Sequence, residues 1–325
     1  MTKIVFLSKG EDSSSTRYRA LQFFPLLRQA DFEVVHATAS GGPLALIDAL
    51  RQAASADLVI VLRKTFPLPL LWLLRRISSR LIFDFDDAIF CNSDGSPSAT
   101  RMQRFAAMVR VCDHVLAGNH FLAESARAFN SAVTLLPTSL VAQGYTAPVD
   151  KPEDVIDVVW IGSSSTRKYL VAALPSLRLA ASRLPGLRLK IIADFDLPDA
   201  GLSTVTVRWN ASSEAADLAS SHIGIAPMRD DDWSRGKCAL KVLQYMAAGL
   251  PVVSSNCGAN AEIVEEGVSG FLVDDEAGWE TRLVQLANDA GLRRRLGEAG
   301  RAKALAAYSV EPVFQRLRSV IDSLR

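Results

Sequence analysis

Pro227–Gly270 reads PMRDDDWSRGKCALKVLQYMAAGLPVVSSNCGANAEIVEEGVSG, and His222–Ala226 just ahead of it reads HIGIA. The HIGIA run predicts a strand. Ala239–Ala248 then predicts a helix, Pro251–Ser254 a strand, Glu262–Glu265 a short helix and Gly270–Val273 another strand. These strands are apolar at nearly every position instead of alternating, the pattern of a parallel sheet covered on both faces. Strands that take turns with helices predict a doubly wound α/β fold.

The same alternation extends in both directions. Upstream in this half, Val155–Ile161, Leu187–Ala193 and Val205–Trp209 read as strands, with helices over Ala172–Leu184 and Glu214–Ala219. Downstream, Trp279–Tyr308 and Pro312–Leu324 read as helices. The first half has its own strands at Ile4–Leu7, Phe32–His36, Asp57–Leu62, Arg80–Phe85, Val115–Ala117 and Val133–Leu136, with helices over Tyr18–Gln29 and Ala45–Ala54. Between the halves, Gln143–Asp154 (QGYTAPVDKPED) breaks the pattern with Gly, Pro and charge and reads as a linker. Two Rossmann-like domains are therefore expected, 1–145 and 146–310. Ligands of such sheets bind outside the carboxyl ends of the strands, so the residues that follow each strand are the candidates.

Composition narrows the class. At ~100–200 residues per domain, 325 residues suit two domains. A formal net charge of +1 gives no basic footprint for nucleic acid, so none is expected as a partner. Cys91, Cys112, Cys238 and Cys257 form no CxxC pair, which argues against a zinc site or a disulfide framework and for reduced thiols. His114, His120 and His222 show no metal spacing, and His114 reads as a helix-borne packing residue. The apolar run Ile4–Leu7 is too short for a signal peptide and Phe66–Leu74 too short for a membrane span. The expected location is the cytoplasm.

The stretch QYMAAGLPVVSS, followed by Gly258-Ala259-Asn260-Ala261-Glu262-Ile263-Val264 and then Gly267 and Gly270, resembles the retaining GT-B glycosyltransferases of family 4. The resemblance implies two facing Rossmann-like domains with a central cleft and a nucleotide-sugar donor held in the second. It also implies a last helix, Glu311–Arg325, that crosses back to the first domain. The chain departs from the family's E-x7-E pair: the first Glu falls on Gly236 and the second on Gln244. On this reading Lys237, Lys241, Gln244, Gly258, Asn260 and Glu262 bind donor, with Lys237 also easing departure of the diphosphate. Lys241 reads equally well as part of a solvated helix face. Asp230, Asp231 and Asp232 are candidates to replace the missing carboxylate. After Val155–Ile161 comes GSSSTRK, where Gly162, Ser163, Arg167 and Lys168 suit a diphosphate at a helix start. Trp209 and Trp233 read as loop aromatics that pack on a base, a sugar or the core.

On the first domain, Lys9–Arg19 follows the first strand, and Arg17 and Arg19 are candidates to bind acceptor, with Asn119 and His120 from a later loop. Asp84-Phe85-Asp86-Asp87 looks superficially like a DXD metal motif, but in a GT-B layout the nucleotide lies in the other domain, so no metal is expected. Asp86 and Asp87 are instead expected to orient or deprotonate the acceptor hydroxyl. Phe66–Arg80 (FPLPLLWLLRRISSR) reads as a helix covering its sheet or as a peripheral membrane contact, the latter at the inner face of the cytoplasmic membrane. The expected activity is sugar transfer from a nucleoside-diphosphate sugar to a hydroxyl of a saccharide or lipid-linked glycan, in polysaccharide or glycolipid synthesis, with no cofactor. The alternatives are an epimerase or phosphorylase of the same fold, or a non-catalytic partner subunit.

Overall fold

The computed structural model describes residues 1–145, 151–152 and 154–325. Much of the 143–154 linker therefore lies outside the described residues. The chain divides into two compact units. The first is Met1–Ser139 with Asp231–Cys238 and Val310–Arg325, and the second is Leu140–Asp230 with Ala239–Ser309.

The first unit carries β1 (Thr2–Ser8), β2 (Phe32–Thr38), β3 (Leu58–Leu62), β4 (Leu81–Phe85), β5 (His114–Ala117) and β6 (Val133–Leu135). They form one sheet in the order β2-β1-β3-β4-β5-β6, and every pairing is parallel. β3 and β4 are buried at every position, as double-sided coverage requires. Phe83 and Phe85 stack beneath Phe105, a residue of the helix Ala99–Val111. On the opposite face lie Phe23, Leu27 and the C-terminal helix Val310–Ser323, whose Val313, Phe314, Leu317 and Ile321 are buried. Each such burial stabilises by roughly 1.5–3 kcal/mol, which is why this last helix belongs to the first unit.

The second unit carries β7 (Ile156–Ile161), β8 (Leu187–Ala193), β9 (Thr204–Arg208), β10 (Ile223–Ala226), β11 (Val252–Ser255) and β12 (Gly270–Val273). The order is β12-β11-β10-β7-β8-β9, again all parallel. The chain runs outward from β7 through β8 to β9, then restarts at β10 on the other side of β7. This reversal between β7 and β10 is the topological switch point, and Gly162 and Pro227 follow directly from its two strands.

Several local expectations are corrected. Tyr18–Gln29 is not one helix: it is Ser14–Arg19, a 3-10 turn Leu21–Phe23 and Phe24–Gln29, with Pro25 in the first turn of the last. A proline has no N–H to continue a preceding helix and is tolerated where one begins. Trp279–Tyr308 is two helices, Glu276–Asn288 and Ala290–Tyr308, because the Asp289 carboxylate accepts from the Leu292 N–H and starts a new one. The short helix after β11 is Gly258–Ile263, upstream of the expected span. His114 opens β5 and is not on a helix; its Nε2 lies 2.9 Å from Thr134 Oγ1.

Candidate functional site

Charged residues gather at the carboxyl ends of β3 and β4 in the first unit. Asp84, 1% exposed, pairs with Arg19, 2% exposed: Nε donates to Oδ1 at 2.7 Å and Nη2 lies 2.5 Å from it. Burial pushes the Asp84 carboxyl up to about 6, and Arg19 keeps it ionised above that. Arg19 also donates to the Leu136 carbonyl at 3.0 Å. Arg19 therefore joins β4 to the chain after β6, and its burial removes it from the acceptor-binding set.

Asp87 is equally buried. Lys237 Nζ donates to both its oxygens, at 2.9 and 3.1 Å, and Arg63 Nη2 pairs with Oδ2. With two cations on one buried carboxylate, Asp87 is a charge clamp and not an available base. Asp86 differs: it is half-buried, its Oδ1 is shielded from solvent with no hydrogen-bond partner among the described residues, and Arg63 Nη1 is 3.6 Å away. Of the pair expected to be catalytic, Asp86 retains acceptor capacity. Arg63, which the sequence reading missed, follows β3 in a left-handed conformation at φ 54. A charged residue directly after an apolar strand was the available signal.

Asp231–Cys238 lies against this same edge. The Asn119 amide donates to the Arg235 and Lys237 carbonyls at 2.9 Å each, and its Oδ1 caps the helix His120–Arg127 through the Leu122 N–H. Asn119 is thus a buried brace rather than an acceptor ligand. Cys238 Sγ donates to the Asp86 carbonyl at 3.3 Å. A Cβ built on Gly236 would sit 2.4 Å from Ala88 Cβ, so no side chain fits where the family's first Glu falls. Lys237, expected on the donor side, belongs to the first unit, with its ammonium 4.1 Å from the Trp233 ring. Asp231 caps the turn Asp232–Arg235 by accepting from the Ser234 N–H. Arg17 is half-buried beside the Tyr18 ring, and His120 is exposed at the start of its helix.

In the second unit, β7 ends at Ile161 and Gly162 follows. A Cβ on Gly162 would meet the Trp160 ring at 2.4 Å and Thr166 Oγ1 at 2.8 Å, so only glycine lets the chain turn there. Ser163, Arg167 and Lys168 are exposed at the start of the helix Arg167–Arg183, with Arg167 5.4 Å from the Phe195 ring. Asp194, after β8, accepts from the Ser164 N–H and hydroxyl, both at 2.8 Å, and these bonds hold it below the usual carboxylate range. Lys241 Nζ donates to Thr166 Oγ1 at 3.1 Å and sits 4.2 Å from the Trp160 ring, so it is not on a solvated face. Thr166 and Lys241 bring the turn after β7 to the helix Leu240–Ala247.

Gln244 is buried on that helix, and its amide donates to Glu214 Oε1 at 2.8 Å. Glu214 also accepts from the Tyr145 hydroxyl at 2.7 Å and from Trp209 Nε1 at 2.6 Å. Where the family's second Glu falls, the chain has an amide with a carboxylate beside it from another element. In the sequence Glu214 is legible only as the start of a helix. Asn260 is buried, its amide near the Ala226 carbonyl and Met228 Sδ, so it packs beneath the edge rather than facing a ligand. Gly258 has φ 51, and Glu262 is exposed on the helix Gly258–Ile263. Asp230 lies 3.3 Å from Cys257 Sγ. Among the described residues no cluster of His, Cys, Asp and Glu is arranged to hold a metal.

Comparison with known proteins bears on both units. Residues 156–289 match the model described as glycosyl transferases group 1. Over this segment the chain is similar to that family. Spore coat protein SA of Bacillus subtilis (strain 168) is 35% identical over 85 residues, 25% of this chain and 22% of that one. The lipopolysaccharide core biosynthesis glycosyltransferase LpsE of Rhizobium meliloti (strain 1021) is 27% identical over 193 residues, 54% of this chain and 53% of that one. The chain thus spans from about a fifth to about half the length of these curated relatives, 22% and 53%. Anabaena Alr3699/HepE, solved in complex with UDP and glucose, superposes with a TM-score of 0.75 at 16% identity, over 99% of this chain and 100% of that one. The α/β fold of two six-stranded parallel sheets is that of GT-B glycosyltransferases.

Proposed function

We propose that the chain is a glycosyltransferase. It takes a nucleoside-diphosphate sugar in the second unit and transfers the sugar, with retention of configuration, to a hydroxyl of a saccharide or lipid-linked glycan. The observation that carries this reading is the turn Gly162–Lys168 at the β7/β10 switch point, where open α/β sheets bind their ligands. Arg167, Lys168 and Lys241 neutralise the diphosphate as it departs, a stabilisation that is largest when the charge develops. Gln244, held by Glu214, bonds the ribose hydroxyls, and Glu262 orients the sugar. In the first unit Asp86 accepts a hydrogen bond from the acceptor hydroxyl, while Asp87, Lys237 and Arg63 fix its position. No metal or cofactor takes part in this scheme. UDP in the Anabaena structure supports a nucleotide ligand for the fold.

Calorimetric titration with UDP, GDP, ADP and dTDP tests the donor half. One of them should bind, and Arg167→Ala with Lys168→Ala should weaken it at least tenfold. If none binds, the reading fails. The loss of both family glutamates favours a second reading, a non-catalytic partner that keeps the fold. A chain that binds a nucleotide but neither transfers nor hydrolyses its sugar supports that alternative.

The helix Leu68–Ile77 buries Leu71 and Leu74 and exposes Leu68, Trp72 and Leu73 beside Arg75 and Arg76. These exposed residues support the finer proposal of a peripheral membrane contact. Among the described residues no helix is long and apolar enough to cross a membrane.

A further inference from the structure

The second sheet has a cavity of about 520 Å³ at its amino edge, away from the donor turn. Ile156 opens β7, His222 precedes β10 and Pro251 precedes β11, and all three line it. The fourth side is the helix Ala290–Tyr308. Lys151, Arg293, Arg294 and Arg301 face the cavity, against one carboxylate, Glu298. Among the described residues none of these four cations has a carboxylate within ion-pair distance.

Two of the arginines are anchored by backbone. Arg293 Nη1 donates to the Leu286 and Ala287 carbonyls at 2.7 Å each. Arg301 Nη1 donates to the Tyr145 carbonyl at 3.2 Å and to that of Ala247. Neutral carbonyls fix these guanidiniums without cancelling their charge, and their remaining N–H groups are left for another acceptor. Uncompensated like charges side by side are costly. Burial with the neighbouring cations Lys151 and Arg293 pushes His222 down to about 4. A fold gathers cations this way at a cost unless an anion offsets it.

We propose that this cavity binds a small soluble phosphorylated anion, a phosphate monoester or a diphosphate. Planar guanidiniums grip phosphoryl oxygens in pairs, and the volume falls within the range of small-molecule sites. A recess half open to solvent, rather than a flat basic face, favours a solute over a membrane surface. The site is separate from the donor turn, which follows the opposite ends of the same strands.

The test uses the full chain carrying Arg167→Ala and Lys168→Ala, so that the phosphate affinity of the donor turn is weakened. Inorganic pyrophosphate is titrated into it at low salt by calorimetry. Binding is expected, and adding Lys151→Glu and Arg294→Glu should weaken it at least tenfold. Both of these side chains are exposed and make no ion pair with another described residue, so the variant should keep its circular dichroism and thermal midpoint. As a second readout, pyrophosphate should move the NMR titration of the His222 ring upward, because it offsets Lys151 and Arg293. Absence of pyrophosphate binding, or affinity unchanged by the two charge reversals, overturns the proposal. So does Arg294-dependent pelleting with phosphatidylglycerol vesicles in a protein that ignores pyrophosphate, since that outcome assigns the charge to a lipid surface.

Discussion

At the residue scale, two carboxylates two positions apart have opposite fates. Asp84 bonds Arg19 in the core, and Asp86 keeps a buried oxygen without a hydrogen bond beside Arg63. Asp84→Ala leaves Arg19 buried and unpaired and should cost about 3–5 kcal/mol in denaturant unfolding. Asp86→Ala should leave the unfolding midpoint nearly unchanged and slow transfer by roughly ten- to a hundredfold, the worth of about 1.5–3 kcal/mol for a hydrogen bond to a charged group. Equal effects of the two variants on stability would contradict this division. Gln244 makes a second contrast. Gln244→Glu restores the family residue but sets a carboxylate against Glu214 in a buried site. It should lower the thermal midpoint, and Glu214→Gln in the same chain should recover it. The sequence made Asp84, Asp86 and Asp87 visible as a cluster, but nothing local separates the paired from the available one.

At the element scale, the segment Asp231–Cys238 is decisive. The sequence places it in the second domain, and the fold places it in the first unit, held by Asn119, Asp86 and Asp87. The glycine at 236 follows from this seating and not from a loose loop. Gly236→Glu would drive its Cβ into Ala88 and should destabilise by about 1–3 kcal/mol or more, an overpacking cost that a thermal scan would detect. A variant of unchanged stability would mean that the segment does not pack there. Strands were legible throughout because an unbroken apolar run needs no partner to be recognised. Helix ends were less so: Pro25 and Asp289 restart helices through one missing or one captured N–H, a signal carried by a single residue.

At the scale of the whole molecule, the two units share one sheet plan and differ in electrostatics. The first binds its carboxylates to cations, while the second gathers cations at its amino edge that pair with no carboxylate among the described residues. That asymmetry sets an acid limit. His222 Nδ1 accepts from the Asp157 N–H at 3.0 Å, so a proton there would oppose a donor. Its folded value of about 4 lies below the ordinary 6.5. A depressed histidine contributes stability that is complete above 6.5 and is lost as the pH falls towards 4. Unfolding followed by denaturant between pH 7 and pH 4 should show the second unit weakening. His222→Gln, which keeps an acceptor, should flatten that decline; an unchanged slope would place the acid sensitivity elsewhere.

By itself the sequence determined the α/β class, the two rounds of strand and helix, the glycine turn after β7 and the family likeness after residue 156. Each of these is written locally, as apolar periodicity or as a contiguous motif. Only the tertiary structure decided which charges pair, where 231–238 sits and which carboxylate stands beside Gln244. Asp87 and Lys237 are 150 positions apart and Arg19 and Asp84 are 65 apart. Pairings over such separations leave no periodic trace in the chain. They arise when packed sheets bring strand ends together and burial makes an unpaired charge too costly to keep.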